Sequence, residues 1–223
     1  MSAVARYIAA RTGGHSPPLN GRCTLMVEAS KSLRVFYAVE MPEEIRARAG
    51  ERARRLRSEF PDVRASWERP EKLHITLKFL GNVKPERVEA LSGVAASVEY
   101  FDPFELTVGE PGSFPPHGPP RVLWLGIVDA NRRLVILQNN LEAGCASFGF
   151  PRETRAFRPH LTLARIRAPR GARELAEAHR ETPFEPQRFK VSELVLMRSE
   201  LGPGGSRYTP LSRHRLGRSI YED

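Results

Sequence analysis

From Leu33 onward the apolar positions of this chain alternate between two periods. LRVFYAVE is a run of strand length rich in β-branched and aromatic residues, and Pro42 just after it sits where a helix favours proline. Ile45, Ala49, Ala53 and Leu56 then recur at helical spacing. Arg46, Arg48, Arg52, Arg54, Arg55 and Arg57 fall between them and read as a solvated face. A second strand is expected around Val63 to Trp67, followed by LHITLKFLG, with Gly81 marking a turn. Val88, Leu91, Ala95 and Val98 predict another amphipathic helix.

The same order of events then returns. FELTVGE is strand-like, PGSFPPHGPPR reads as a loop, VLWLGIV is an apolar strand, and Leu134, Leu137, Leu141 and Cys145 mark a helix. FRPHLTLARI follows, then a short helix around Arg173 to His179, the strand-like RFKVSELVLMRSEL, a Gly-rich turn at Gly202 to Gly205 and a last strand near Tyr208. Several strand pairs are joined by short turns. The expected class is therefore α+β with mainly antiparallel sheets, in preference to a doubly wound parallel sheet.

Residues 1–32 break this pattern with Gly13-Gly14, Pro17-Pro18 and Asn20-Gly21, and are expected to be a disordered leader or an overextended start. That leaves 33–223 as a single folded body. The leader lacks the apolar core of a secretory signal, and no apolar run in the chain approaches the roughly 18 residues of a spanning helix, so no membrane partner is expected. Cys23 and Cys145 lack the spacing of a disulfide framework or a zinc site, which fits a reducing, cytoplasmic compartment.

Charge narrows the ligand class. Thirty-five Lys and Arg against 26 Asp and Glu give a net +9 over 223 residues, and only Lys31, Lys72, Lys78, Lys84 and Lys190 are lysines. A field of that sign, carried by guanidinium, favours anionic ligands.

The chemistry sits in a local repetition, His74-Ile75-Thr76-Leu77 and His160-Leu161-Thr162-Leu163. One such H-x-T-L is expected by chance roughly 0.02 times in a chain of this composition, so two are no coincidence. In a strand, His74 and Thr76 project from one face while Ile75 and Leu77 project from the other. Two such strands facing a groove would present two imidazoles and two hydroxyls. One imidazole can donate a proton while the other accepts, and the hydroxyls can donate to phosphate oxygens. Arg165, at the end of the second strand, adds charge-assisted donors. Residue chemistry alone leaves acid and base interchangeable.

Other chemistries fit less well. Each motif supplies one histidine and no Asp, Glu or Cys to complete a zinc set, so neither metal nor other cofactor is expected. No G-x-S-x-G elbow is present for a nucleophilic triad. Phe114 is a candidate to stack a terminal base, or else a hydrophobic anchor for the Pro-rich loop. Trp124 reads as core, and His15, His117, His179 and His214 as surface residues.

The paired motifs, with LHITLKFLG, PGSFPPHGPPRVLWLGI, FRPHLTLAR and LVLMRSELGPGGSRY around them, resemble the 2H phosphoesterases. The resemblance is to the branch of bacterial and archaeal RNA 2′,3′-cyclic phosphodiesterases also described as 2′-5′ RNA ligases, and covers residues 33–223. It implies a bilobal fold with two pseudo-symmetric lobes lining a central groove and helices outside. It also implies metal-independent opening of a terminal 2′,3′-cyclic phosphate to a 2′-phosphate. His74 would be the proton donor, His160 the proton acceptor, and Thr76 and Thr162 the phosphate ligands. The expected partners are RNA ends or small cyclic nucleotides, acted on by a monomer. Alternatives on the same site are 2′-5′ RNA ligation or opening of ADP-ribose 1″,2″-cyclic phosphate; one of another class is a non-catalytic RNA-binding module. The leader and the basic terminal stretch RHRLGRSIYED depart from the family pattern.

Overall fold

A computed structural model describes residues 32–202 and 205–217, so the expected leader lies outside the described residues except for Ser32. The elements run β1 (Leu33–Glu40), α1 (Glu43–Glu59), β2 (Ala65–Trp67), β3 (His74–Val83), α2 (Val88–Ala96), β4 (Phe104–Phe114) and β5 (Val122–Val128). They continue α3 (Arg133–Ser147), β6 (His160–Ile166), α4 (Ala172–Glu181), β7 (Gln187–Val191), β8 (Glu193–Gly202) and β9 (Gly205–Arg215). Among the described residues no helix is long and apolar enough to cross a membrane.

Every strand pairing is antiparallel, in the order β7-β4-β5-β6-β3-β1-β8-β9, with β2 on the free part of β6. Counted outward from the β6–β3 seam, each side reads as one histidine strand, one apolar strand and two further strands. These are the two expected lobes, and their sheets are continuous. The seam is one residue pair, Ile75 opposite Leu161. The lobes are not consecutive halves of the chain: β4 joins β5 and β6, whereas β8 and β9 return to β1 and β3.

The alternation that predicted strands also decides the core. Val35, Tyr37, Val39, Ile75, Leu77, Leu161 and Leu163 turn to one side and meet Leu134, Leu137 and Leu141 of α3 and Leu91 of α2. Tyr37 is fully buried and its hydroxyl donates to the Leu91 carbonyl at 2.6 Å, which satisfies a polar group that burial would otherwise penalise. A second core joins Leu56 of α1 and Leu175 and Ala176 of α4 to Leu123, Ala164 and Ile166. Cys145 is a free buried thiol 3.9 Å from the Tyr37 hydroxyl.

Several boundaries differ from expectation. Gly81 does not end its strand: β3 runs on to Val83, and Gly81 adopts φ +73° beside a register shift against β1. One type of bulge uses the left-handed conformation that glycine supplies, and on sequence alone such a glycine is indistinguishable from a turn. PGSF belongs to β4, because Pro111 to Phe114 pair with β5 and only the residues after Phe114 form the loop. RFKVSELVLMRSEL is two strands on opposite lobes, divided at Ser192.

Arg52 is not part of a solvated face. It is 6% exposed and its Nε–H donates to His179 Nδ1 at 3.1 Å, while its other nitrogens donate to the carbonyls of His179, Thr182 and Pro183. His179, also expected at the surface, is fully buried, and its Nε2–H donates to the Trp124 carbonyl at 3.0 Å. Burial, helped by the two neighbouring arginine charges, pushes its pKa down to about 4, so this histidine is a neutral structural link between α1, α4 and β5. His214 is also buried, beside Ser92, Ser212 and Glu99. His117 is exposed, as expected, and His15 lies outside the described residues.

Candidate active site

The seam brings the two motifs together. Antiparallel pairing of Ile75 with Leu161 places His74 across from Thr162 and Thr76 across from His160 when the register is carried one residue either way. The two histidines are then diagonal partners on one face, a relation that spans about 7–8 Å in a regular ladder. The core faces of both strands are filled by Ile75, Leu77, Leu161 and Leu163, so the polar side chains are left to the groove.

Both imidazoles are oriented by the same device. His74 Nδ1–H donates to the Lys72 carbonyl and His160 Nδ1–H to the Arg158 carbonyl, each at 2.7 Å and each two residues back along the chain. A carbonyl only accepts, so Nδ1 carries the proton in both rings and Nε2 is left for chemistry. His74 Nε2 accepts from the Thr76 hydroxyl at 3.1 Å.

Aromatic rings wall each histidine. His74 stands against Phe36 and edge-on to Tyr208, each at 5.0 Å between centroids. His160 stands edge-on to Phe114 at 5.1 Å, with Trp124 at 6.4 Å, and Phe114 packs on Trp124 at 5.0 Å. Trp124, expected in the core, instead forms half-buried groove wall. Its ring lies over Gly112 of β4, where any Cβ would collide with it.

Strict alternation would point Arg165 to the core side with Leu161 and Leu163. A bulge prevents this. Leu123 pairs with Ala164 but Trp124 pairs with Thr162, so Leu163 is an extra residue and the phase of β6 inverts after it. Ala164 and Ile166 therefore enter the second core, and Arg165 emerges exposed on the groove side. The mirror-image bulge occurs on β3: Thr76 pairs with Ala38 and Lys78 with Tyr37, leaving Leu77 as the extra residue. There Lys78 is buried in an ion pair with Glu142 of α3 at 2.6 Å, and Phe79 takes the place that mirrors Arg165.

An open cleft of about 840 Å³ is lined by His160, Thr76, Phe114 and Phe79 and extends over residues 151–158. His74 is not part of this lining and touches it only through its bond with Thr76. Thr162 is half-buried in the strand between His160 and the bulge. Burial lowers the pKa of both histidines, and the Arg165 charge lowers both further. Only His74 has an acidic neighbour acting in the opposite sense, Glu40, which stands across from it on β1. Burial also raises Glu68, despite the Arg165 and Lys72 charges near it. Among the described residues, no three His, Cys, Asp or Glu side chains gather as a metal-binding group would require.

Sequence reasoning named both histidines, both threonines, Arg165 and Phe114. It did not find the walls Phe36, Tyr208 and Trp124 or the charge of Glu40. Their signal is the strand register, which one strand read alone does not contain.

Residues 41–203 match the model of the 2′-5′ RNA ligase superfamily. An RNA 2′,3′-cyclic phosphodiesterase of Methanothermobacter thermautotrophicus is 35% identical over 82% of this chain and 99% of its own length. The Escherichia coli protein of the same name is 33% identical over 84% of this chain and 98% of its own. Among solved structures, a protein of Thermus thermophilus aligns with a TM-score of 0.69 at 30% identity, over 84% of this chain and 100% of the other. E. coli LigT complexed with 3′-AMP aligns with a TM-score of 0.65 at 31% identity, over 84% and 100%.

Proposed function

Because the chain belongs to the 2′-5′ RNA ligase superfamily, we propose that it is an RNA 2′,3′-cyclic phosphodiesterase that opens the terminal ring to a 2′-phosphate without a metal. The observation that carries this reading is the shared orientation of the two histidines. Each spends Nδ1 on a backbone carbonyl, so two Nε2 atoms face one groove with a threonine hydroxyl beside each.

His160 Nε2 takes a proton from water as its oxygen attacks phosphorus. The bond to the 3′ oxygen breaks, and His74 Nε2–H delivers the proton that this oxygen needs as it leaves. The products are a 2′-phosphate and a free 3′-hydroxyl. His160 ends protonated and His74 neutral, and exchange with solvent restores both. Thr76, Thr162 and Arg165 supply donors to the non-bridging oxygens, where negative charge builds in the transition state.

The assignment of roles comes from the family, and one charged group agrees with it, although burial and the Arg165 and His160 charges lower His74. Arg213 pairs with both Glu40 and Glu193, so one cation meets two carboxylates and a negative charge remains near His74. That charge favours an imidazolium at His74. His160 has only Arg165 as a charged influence, which favours the neutral base. An arriving phosphate anion raises both pKa values and supplies the proton-carrying state that the empty groove disfavours.

Both half-sites come from one chain, so the monomer is the working unit, with 33–223 as its catalytic domain. Two cysteines in 223 residues, Cys145 a buried thiol, fit a reducing cytoplasm. The test is turnover of a nucleoside 2′,3′-cyclic phosphate in excess EDTA. The expected result is 2′-phosphate at an undiminished rate; abolition by the chelator, or no turnover at all, would sink the proposal.

A further inference from the structure

The cleft runs well past His160 and Thr76, and its far wall is held in place. Residues 151–158 form neither helix nor strand, yet their start is fastened to a buried ion pair. Lys78 Nζ donates to Glu142 at 2.6 Å and to the Pro151 carbonyl at 2.9 Å. Glu142 also accepts from the Glu153 N–H at 3.2 Å and from Gln138 Nε2 at 3.1 Å. The Lys78 and Glu142 side chains are only 4% and 8% exposed. A buried pair is costly to desolvate and contributes little net stability, but it fixes geometry when its remaining donors and acceptors are used. Here they are used on the wall of the cleft.

The wall carries free positive charge. Arg155 is tied to Glu153 through Nε and Nη2, so these two charges offset each other. Arg152 and Arg158 are exposed, line the same cleft and pair with no acid among the described residues. Across from them, Phe79 is 49% exposed, with the Arg34 guanidinium 4.6 Å from its ring centroid. The bulge at Leu77 turns this ring outward at the place where the other half-site carries Arg165. An exposed ring beside two unpaired guanidinium groups matches single-stranded RNA, which offers a flat base and a phosphodiester in each repeat.

We propose that this end of the cleft is a subsite for the nucleotide preceding the cyclic end, with Arg152 and Arg158 on its phosphodiester and Phe79 under its base. The enzyme then selects oligoribonucleotide ends over mononucleotides. This rests on the cyclic phosphodiesterase reading and adds a specificity determinant to it.

The experiment compares kcat/KM for a nucleoside 2′,3′-cyclic phosphate and for a trinucleotide ending in the same cyclic nucleoside. It uses the wild type, the double variant Arg152→Gln/Arg158→Gln and the single variant Phe79→Ser. Stacking and charge-assisted contacts predict a wild-type preference for the trinucleotide of about tenfold or more, declining as salt rises. The double variant brings the ratio close to one, mainly through KM for the trinucleotide, and Phe79→Ser removes part of it. Equal efficiency on both substrates in the wild type, or a ratio unchanged in the double variant, would overturn the subsite alone. Turnover of neither substrate by the wild type would overturn the phosphodiesterase reading and the subsite with it.

Discussion

Across from His74, the neighbouring strand carries Glu40; across from His160, the matching place on β5 is Gly126. Nearer the reacting nitrogens the halves share the Nδ1 bond to the carbonyl two residues back, the threonine two residues on, aromatic walls and the bulge after the threonine, and differ in the Thr76 hydroxyl that reaches His74 Nε2. Beyond the bulge they part again, with Phe79 and buried Lys78 on one side and Arg165 and buried Ala164 on the other. In the proposed mechanism the shared parts make two like proton carriers. The unshared parts distinguish them, by placing the Glu40 charge near His74 alone, while the Arg165 charge acts on both histidines.

The most severe break of this symmetry is removal of an imidazole. His74→Ala and His160→Ala are each expected to lower kcat/KM by about 10³ to 10⁴. The double variant should be far less impaired than the product of the two losses, because the pair acts as one unit. A single variant within tenfold of wild type would refute two-histidine catalysis. Steady-state rates on a cyclic mononucleotide make the comparison.

Next in size are the threonines. Thr76→Val and Thr162→Val keep the shape and remove one donor each, and each should cost about 10² in kcat. If the halves bind phosphate equivalently, the two losses agree within a few fold. A loss confined to one of them would show that a single half holds the phosphate.

The smallest and most discriminating effect belongs to Glu40. His74 must carry a proton to act as acid, so activity is lost as pH rises through its pKa. Removing the nearby negative charge in Glu40→Gln lowers that pKa, and one limb of the kcat/KM profile, the one that His74 governs, should move to lower pH by a few tenths of a unit. Both limbs of the wild-type profile should lie below the ordinary histidine value of 6.5, since burial lowers both groups. A profile with both limbs unmoved would show that the Glu40 charge does not act on His74.

Much of this architecture is readable in the chain. β1, α1, β3, α2, β5, α3 and β6 follow from where Val, Leu and Ile fall, and the two H-x-T-L segments announce themselves by repetition. Gly81 and PGSF mislead when read within their own strands, because a register shift is defined only against a partner strand. Arg165 is among the residues the sequence names, but strict alternation alone would turn it to the core. Arg52 and His179 carry polar signatures that would be costly to bury singly; they are buried because each meets the other and the exposed ends of backbone segments. Trp124 has core composition, and becomes groove wall because Gly112 on the next strand leaves room for its ring.

The sequence by itself determined that two strands each carry an imidazole and a hydroxyl on one face, because alternation is a property of a single strand. It determined the excess of guanidinium that draws an anion. Only the tertiary structure decided that the two strands meet at Ile75 and Leu161, that bulges turn Arg165 and Phe79 into the groove, and that Glu40 stands near one histidine and not the other. Those facts depend on register between segments far apart in the chain, and register is settled by packing the whole sheet against its helices rather than by any local preference.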